Sequence, residues 1–549
     1  MKIFTNGLVY TQDGMKEAFV VDRDRFVYVG SNEEAAKYEG EVTDLQGQFV
    51  CAGFNDSHMH LLHFGECQVV ADLSTQTGSM EQVQDGLKQF AAEHELKPGQ
   101  WMVAMGVNQD YFSGEKRFPD RHDLDLVSEE VPIMLNRTCG HICAVNSKAL
   151  ELMGLETANP DGSRTVSEIP EVDGGEIQVD ANGVPTGWFF ENAIECVNAC
   201  LPTYTIEDVK HMLVEAAHWV NRQGITSVQT DDFITLPSVN WRTVIQAYRE
   251  LIRDGLLTVR VNEQSQLQEP EQLQEFLDEG YTTGVGDTMF KIGPLKIIGD
   301  GSLGARTAYM RETYADQPEE KGMLVASSEK LKKLVMLAHT HNMQVAVHAI
   351  GDGCVDGVLD AYEEAIQAFP RSDHRHGIVH CQLMRPEHYE RFKELGVHGY
   401  IQSIFLDYDI RIVRERAGET LAASSYGGSC YPEMGISMSN GSDAPVELPV
   451  PLRGIQCAVT RQDLAGTFAP YRPDQAMTVK QALDSFTTGG AYASFEEDIK
   501  GDIRTGMLAD FTVLAQNPFC VPAHELAKIP VQETWLGGER IFCLAEKNK

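Results

Sequence analysis

The histidine pair in Asp56-Ser57-His58-Met59-His60 is the part of this sequence with the clearest chemical potential. On an extended strand, residues i and i+2 point the same way, so both imidazoles can reach one ion. Neutral imidazole is the commonest metal ligand among side chains. Because the pair follows an apolar run, Phe49 to Phe54, it predicts a metal site at the end of a strand. A His-x-His pair alone also arises by chance in a chain with 17 histidines.

Further residues suited to metals occur where other strands are predicted to end. Lys296 lies among apolar residues in the segment Leu295 to Gly299, where a charged side chain is unexpected unless it has a specific partner or role. His348 and His380 each end an apolar segment, and Asp443 follows Ser439-Asn440-Gly441-Ser442 at the end of the last predicted strand. Each residue alone could be a helix cap, a snorkelling lysine or a buried polar group with a local partner. Their repetition at strand ends instead predicts one shared site.

The middle of the chain alternates strand-like and helix-like segments. Alternation of this kind indicates parallel strands joined by helical crossovers. With the strand before His58 the count is eight, which predicts a (β/α)8 barrel of the TIM type, with its active site at the carboxyl ends of the strands. The other predicted strands are Ile225 to Thr230, Leu257 to Asn262, Leu295 to Gly299, Gln344 to His348, Gly377 to His380, Gly399 to Gln402 and Ile436 to Ser442. The predicted amphipathic helices include Val209 to Gln223, Ser328 to Asn342 and Asp356 to Phe369.

Both ends of the chain are rich in short strands and turns. We therefore predict a small composite β-sandwich from residues 1–52 and 505–549, since chain termini often lie close together. The barrel takes residues 53–504. Residues 65–205 do not show the alternation of strands and helices expected of the barrel. They are predicted to form an insertion after the first barrel strand, and this insertion is predicted to cover the barrel mouth.

Composition excludes several classes of function. Lys and Arg number 45 against 81 Asp and Glu, a net charge of −36, which argues against nucleic acid or an anionic membrane as partner. No apolar run is long enough to span a bilayer, and the N-terminus reads as a strand rather than a signal peptide, so a cytoplasmic location is expected. The 12 cysteines lack the Cys-x2-Cys spacing of zinc clips and are expected to be free thiols.

Five segments carry a family resemblance: Gly53-Phe54-Asn55-Asp56-Ser57-His58-Met59-His60, the stretch Leu295 to Thr307, His348-Ala349-Ile350-Gly351-Asp352, His380-Cys381-Gln382 and Gly441-Ser442-Asp443-Ala444-Pro445-Val446. Together they resemble the amidohydrolase superfamily of metal-dependent hydrolases, and within it the branch (amidohydrolase family 3) that includes N-substituted formamide deformylases. The resemblance covers essentially the whole chain, and the ending Gly506 to Leu514 is also typical.

The resemblance implies roles by position. His58, His60 and Asp443 would bind the more buried of two metals, and His348 and His380 the second. Lys296 would bridge both as a carbamate formed with CO2. The implied ion is Zn²⁺, one or two per chain, with other divalent metals possible; a single zinc held by part of the set stays open. Asp443 would act as general base and acid while a metal-activated hydroxide cleaves a C–N bond of amide or formamide type, other than a peptide bond.

Substrate contacts are less defined. The resemblance implies that Arg137 or His141 faces the active site, although Arg137 could equally pair with an acid of the insertion. Arg306, near the end of the fourth strand, is a third candidate. The expected partner is a small molecule, and a homodimer is possible. Rival hypotheses are hydrolysis of cyclic amides or esters or deamination at the same site, and a catalytically dead regulatory or binding protein.

Overall fold

The computed structural model divides into two compact units, Met1–Phe64 with Ile206–Lys549, and Gly65–Thr205. Each unit is described by itself. The residues that the structure describes are 1–73, 78–137, 141–159, 163–172, 174–236 and 239–546.

Eight parallel strands of the first unit form one sheet in chain order. The edge between the last and first strands is bridged where the Asp443 amide donates to the His58 carbonyl at 2.8 Å and the Ser442 amide to Asp56 Oδ1 at 3.0 Å. The sheet is thus the nearly closed barrel that the sequence predicted. The strands are β1 (Phe54–Met59), β2 (Ile225–Thr230), β3 (Arg260–Gln266), β4 (Phe290–Ile298), β5 (Val345–Ala349), β6 (Gly377–His380), β7 (His398–Ile401) and β8 (Met438–Asn440).

Helices alternate with these strands. Trp241–Arg253 shows why: Asn240 caps its first turn by accepting hydrogen bonds from two backbone amides, and its buried residues recur every three or four positions. The helix Leu61–Val69 begins in the first unit and ends in the range of the second. The longer helices that lie wholly in the first unit are Ile206–Asn221, Trp241–Arg253, Pro270–Asp278, Ser328–Thr340, Asp352–Ala368, Pro386–Leu395, Val413–Ala422 and Pro451–Thr460. The shorter ones are Asn32–Ala35, Leu406–Asp409, Cys430–Met434, Val479–Ser485 and Thr488–Ala493.

The first barrel strand extends further along the chain than the sequence predicted. The apolar run before the histidines is split at Gly53, so that Phe49–Ala52 belongs to a terminal sheet and β1 begins at Phe54. His58 therefore lies within β1, and His60 follows its end. The physical reason is that two fully buried strands follow one another directly, and an apolar run fits either sheet.

Strands from both ends of the chain form two sheets that pack on one apolar cluster, which includes Phe4, Phe19, Phe511 and Trp535. The Phe4 and Phe19 rings stack with centroids 4.6 Å apart. One sheet has the order Arg25–Gly30, Ala18–Asp22, Lys2–Thr5, Glu41–Asp44. The other has the order Glu539–Cys543, Val531–Leu536, Phe511–Leu514, Phe49–Ala52, Leu8–Thr11, Gly14–Lys16.

The second unit is built on a six-stranded mixed sheet, beside which a separate hairpin pairs Glu156–Ala158 with Arg164–Val166. The order of the sheet is Gly175–Val179, Pro185–Glu191, Ile142–Val145, Ile133–Arg137, Met102–Val107, Ala71–Asp72. Its helices are Met80–Glu93, Arg121–Asp125, Ser147–Leu152 and Ile194–Asn198.

Among the described residues of the whole chain, no helix is both long and apolar enough to cross a bilayer, and the eleven described cysteines are free.

A buried histidine of the barrel makes stability depend on pH. His398 is fully buried, with its ring nitrogens 3.0 and 2.8 Å from the Ser437 and Ser439 hydroxyls, and burial lowers its pKa from 6.5 to about 3. Below pH 6.5, His398 is protonated in the unfolded chain but stays neutral in the folded chain. The free energy of unfolding therefore falls as the pH drops towards 3. In His398→Gln, the slope of unfolding free energy against pH, measured by urea titration, should be shallower by up to about 1.4 kcal/mol per pH unit.

The exposed His341 supplies the matched control. His341→Gln should leave the wild-type slope unchanged. A wild-type slope in His398→Gln would show that His398 does not stay neutral in the fold.

Candidate metal centre

The carboxyl ends of the barrel strands bring all six predicted ligands into one cavity of about 630 Å³. Two of these ends carry strained backbone: His380, the last residue of β6, has φ 82°, and Asp443 has φ 62°. Non-glycine residues at such angles cost about 1–3 kcal/mol each and persist where surrounding structure enforces them, often at functional sites. The six residues are His58, His60, Lys296, His348, His380 and Asp443.

Asp443 lies at the centre of the cluster. Its Oδ1 is 3.2 Å from His58 Nε2 and 3.1 Å from His60 Nε2. Ligand atoms of His58, His380 and Asp443 lie within 4.8 Å of one another. Zinc bonds of about 2.0–2.2 Å to nitrogen and oxygen fit within that spread, so this set of donors suits a zinc ion.

Hydrogen bonds behind two of the rings select the tautomer that a metal needs. His58 Nδ1 is 2.8 Å from Gln264 Oε1, and the Gln264 amide is oriented because its Nε2 donates to the Ser57 carbonyl at 3.1 Å. His380 Nδ1 is 2.9 Å from Gln402 Oε1. An imidazole that donates through Nδ1 presents the lone pair of Nε2 to the site.

Most of the clustered side chains also have protonation states that suit a cation. Burial lowers the pKa of His348 to about 4 and that of His380 well below its usual value, so both are neutral imidazoles. Burial would raise the pKa of Asp443, but the surrounding imidazoles hold it well below its usual range. The Asp443 carboxylate beside the neutral imidazoles of His348 and His380 is a donor set for a divalent metal. Burial alone would lower the pKa of His60, but the carboxylates of Asp231 and Asp443 raise it to about 10, so His60 would release a proton when it binds a metal.

His348 is beside the cluster rather than inside its tightest part. Its ring centroid is 4.4 Å from that of His380, while its Nε2 is 3.1 Å from the Gly301 carbonyl. Asp300, next to Gly301, accepts backbone hydrogen bonds from Ile350 at 3.0 Å and Gly351 at 2.8 Å and so fixes the turn after β5.

Lys296 is buried within β4 and contacts two other residues of the site. Its Nζ is 3.2 Å from His58 Nε2 and 2.9 Å from Asp231 Oδ2. Asp231 also contacts His60 through its other oxygen, and it was not predicted from the sequence. The signal was present, because Asp231 directly follows β2 just as other site residues follow or end their strands.

The three predicted substrate contacts have partners of their own. Arg137 Nη2 is 2.9 Å from Asp110 Oδ2, and exposed His141 is 2.9 Å from Glu191 Oε2, both within the second unit. Thr138 to Gly140 lie outside the described residues. Arg306 pairs with Asp316, with 3.0 Å between Nε and Oδ2, while Ser302 to Gly304 of the same loop line the cavity. Their roles towards substrate stay predictions.

The rest of the cavity wall is apolar and acidic. Beyond the six clustered residues, its charged lining residues are Asp409 and Glu447. Asp409 Oδ2 accepts hydrogen bonds from the Tyr426 hydroxyl at 2.7 Å and from Gln382 Nε2 at 3.2 Å. The apolar lining residues are Ile298, Leu303, Ile350, Phe405, Tyr408 and Val446.

Comparisons with known proteins agree with a hydrolase site. The model of the amidohydrolase family matches residues 41–542. The "Putative amidohydrolase YtcJ" of Bacillus subtilis is 30% identical, with 98% of this chain and 99% of that protein covered. The N-substituted formamide deformylase of Arthrobacter pascens is 26% identical over 96% of this chain and 95% of its own. The crystal structure of an uncharacterized metal-dependent hydrolase from Pyrococcus furiosus, 28% identical, covers 94% of this chain and 99% of its own at a TM-score of 0.75.

Proposed function

Because the chain belongs to the amidohydrolase family, we propose that it is a metal-dependent hydrolase that cleaves a C–N bond of amide or formamide type. The observation that carries the proposal is the convergence of four histidines, a lysine and an aspartate in one cavity at the carboxyl ends of the barrel strands. The reaction of the Arthrobacter pascens relative, as its name states it, supports formamides as the first substrates to test.

The residues present would hold Zn²⁺ or a similar divalent ion. His58, His60, His348, His380 and Asp443 would supply imidazole and carboxylate donors, and Lys296, whose Nζ is 3.2 Å from His58 Nε2, would add a carbamate. When bound, zinc lowers the pKa of a water ligand to about 7 and polarises a carbonyl group.

Asp443 is assigned the proton transfers. Its Oδ1 faces the two imidazoles of the His-x-His pair, at 3.2 and 3.1 Å, which leaves Oδ2 to carry a proton. Oδ2 would accept the proton of the attacking water and deliver it to the leaving nitrogen. The apolar wall around Leu303 and Phe405 limits water and receives the substituent of the amide.

The charge of the cavity decides between substrate classes. Burial raises the pKa of Glu447 to about 7, and the neighbouring carboxylates of Asp407 and Asp409 contribute in the same direction. Above that pH, Glu447 repels an anionic substrate. Formamides of neutral or cationic amines should therefore be hydrolysed better than N-acyl amino acids, on the order of tenfold in kcat/KM for about 1.4 kcal/mol of repulsion.

The test is a panel of N-formyl amines, N-acyl amino acids, hydantoins and aryl esters, assayed at a pH above the pKa of Glu447. Glu447→Gln should narrow the difference between N-formyl amines and N-acyl amino acids. Met323→Gln, exposed and outside the lining of the cavity, is the control that should leave it unchanged. Turnover of hydantoins or esters alone would contradict the proposed reaction, and turnover of nothing with metal bound would favour a binding protein.

A further inference from the structure

Asp231 touches two of the proposed metal ligands, His60 just after β1 and Lys296 within β4. Its side chain is fully buried, with Oδ1 in contact with His60 Nδ1 and Oδ2 2.9 Å from Lys296 Nζ. We propose that Asp231 is a positioning residue of the metal centre: one oxygen orients His60, and the other orients Lys296. This inference rests on the proposed metal centre and adds a residue to it.

The His60 ring has a different carboxylate at each of its two nitrogens. Its Nε2 faces Asp443 Oδ1 at 3.1 Å, on the side of the cluster, and Nδ1 faces Asp231. An imidazole that binds a metal through one nitrogen commonly donates the hydrogen of the other to a carboxylate or carbonyl, which fixes the ring and strengthens the ligand. Asp231 therefore does for His60 what Gln264 does for His58.

His60 needs such a partner more than His58 does. The side chain of His60 is 27% exposed, whereas that of His58 is fully buried. Surrounding atoms therefore restrict the His60 ring less, and a hydrogen bond has to define its orientation. A carboxylate is the stronger acceptor for this purpose, because charge-assisted hydrogen bonds are about twice as strong as neutral ones.

Asp231 Oδ2 is placed to hold Lys296 in its carbamate form. When the neutral amine forms a bond from Nζ to the carbon of CO2, one proton leaves to water and the new group carries one negative charge. Nζ keeps one hydrogen. That N–H can donate to Asp231 Oδ2, which lies 2.9 Å from Nζ, so the same contact would hold the carbamate with its oxygens turned towards the metal ligands.

The neighbouring carboxylate provides a matched control. Asp232 is equally buried, but its oxygens bind the Leu62 amide at 2.9 Å, the Thr230 hydroxyl at 2.8 Å and the Tyr248 hydroxyl at 2.5 Å. None of these partners belongs to the cluster of six. Asp232→Asn therefore disturbs the same part of the fold without touching a proposed ligand.

The experiment measures zinc affinity by competition with a chelator, and carbamate by ¹³C NMR after equilibration with ¹³C-bicarbonate. Asp231→Ala should weaken zinc binding by about 10–100-fold, the usual loss for a partner behind a metal ligand, and lose the carbamate signal. Asp231→Asn keeps an oxygen for His60 and should lose less affinity. Asp232→Asn should match the wild type in both.

Wild-type zinc affinity and carbamate signal in folded Asp231→Ala would overturn the role of Asp231 while leaving the metal centre standing. If Asp231→Ala does not fold, Asp231→Asn takes its place. Wild-type zinc affinity and an intact carbamate signal in Asp231→Asn would overturn the role of Asp231 towards Lys296. Failure of the wild-type protein to bind zinc at all would overturn the metal centre and this inference together.

Discussion

Asp443→Asn is expected to retain metal but to lose turnover by about 10²–10⁴-fold, the usual contribution of a positioned proton-transfer group. The amide keeps the size of the side chain and an oxygen for the contacts with His58 and His60, at 3.2 and 3.1 Å. It cannot accept a proton from water and pass it on. The measurement is kcat on a formamide substrate together with metal content by mass spectrometry.

Asp409→Asn is the control for this substitution, because Asp409 lines the same cavity without contacting the clustered ligands. It should retain kcat within a few fold. Turnover close to wild type in Asp443→Asn would remove Asp443 from the proton transfers. Loss of metal from that variant would instead show that its carboxylate charge is needed for binding.

Lys296→Arg should have an effect of similar size for a different reason. Arginine keeps a positive charge beside Asp231, whose Oδ2 is 2.9 Å from Lys296 Nζ in the wild-type protein. Because the guanidinium group stays protonated, it does not form a carbamate with CO2. If Lys296 acts as a carbamate, the variant loses a bridging anion between the two halves of the site. Metal content and kcat should then both fall, and metal uptake should no longer depend on bicarbonate.

Lys296→Ala separates this role from plain charge pairing. If Lys296 is only the counter-ion of Asp231, Lys296→Arg should behave like the wild type and Lys296→Ala should be the impaired variant. Bicarbonate-independent metal binding by the wild-type protein would contradict the carbamate. Melting temperatures of the three proteins establish that each is folded.

Much of the barrel could be predicted from local pattern. The ranges predicted for β2 and β6 coincide with Ile225–Thr230 and Gly377–His380, two short buried strands that contain the β-branched residues typical of strands. The first strand was predicted to end before His58, whereas β1 runs to Met59. Only Gly53 separates β1 from Phe49–Ala52, and the local sequence does not show which sheet each run joins. That assignment depends on pairing with Phe511–Leu514, far away in sequence.

The site was predictable only where a residue type is rare at its position. Histidines at strand ends and a lysine in an apolar strand are conspicuous, whereas Asp231 reads like an ordinary cap after a strand. Its importance comes from contacts with β4 and with His60, which only the closed barrel creates. Gln264 was hidden for the same reason, since β3 extends to Gln266 rather than ending at the predicted Asn262.

The central claim is that these side chains hold a metal. Its most direct test is a crystal structure of the protein loaded with zinc in the presence of bicarbonate, with diffraction recorded at the zinc absorption edge. The account predicts an anomalous peak bonded to His58 and Asp443, and density extending beyond Lys296 Nζ. Absence of any peak in this cavity, with fewer than about one zinc per ten chains in solution, would contradict it.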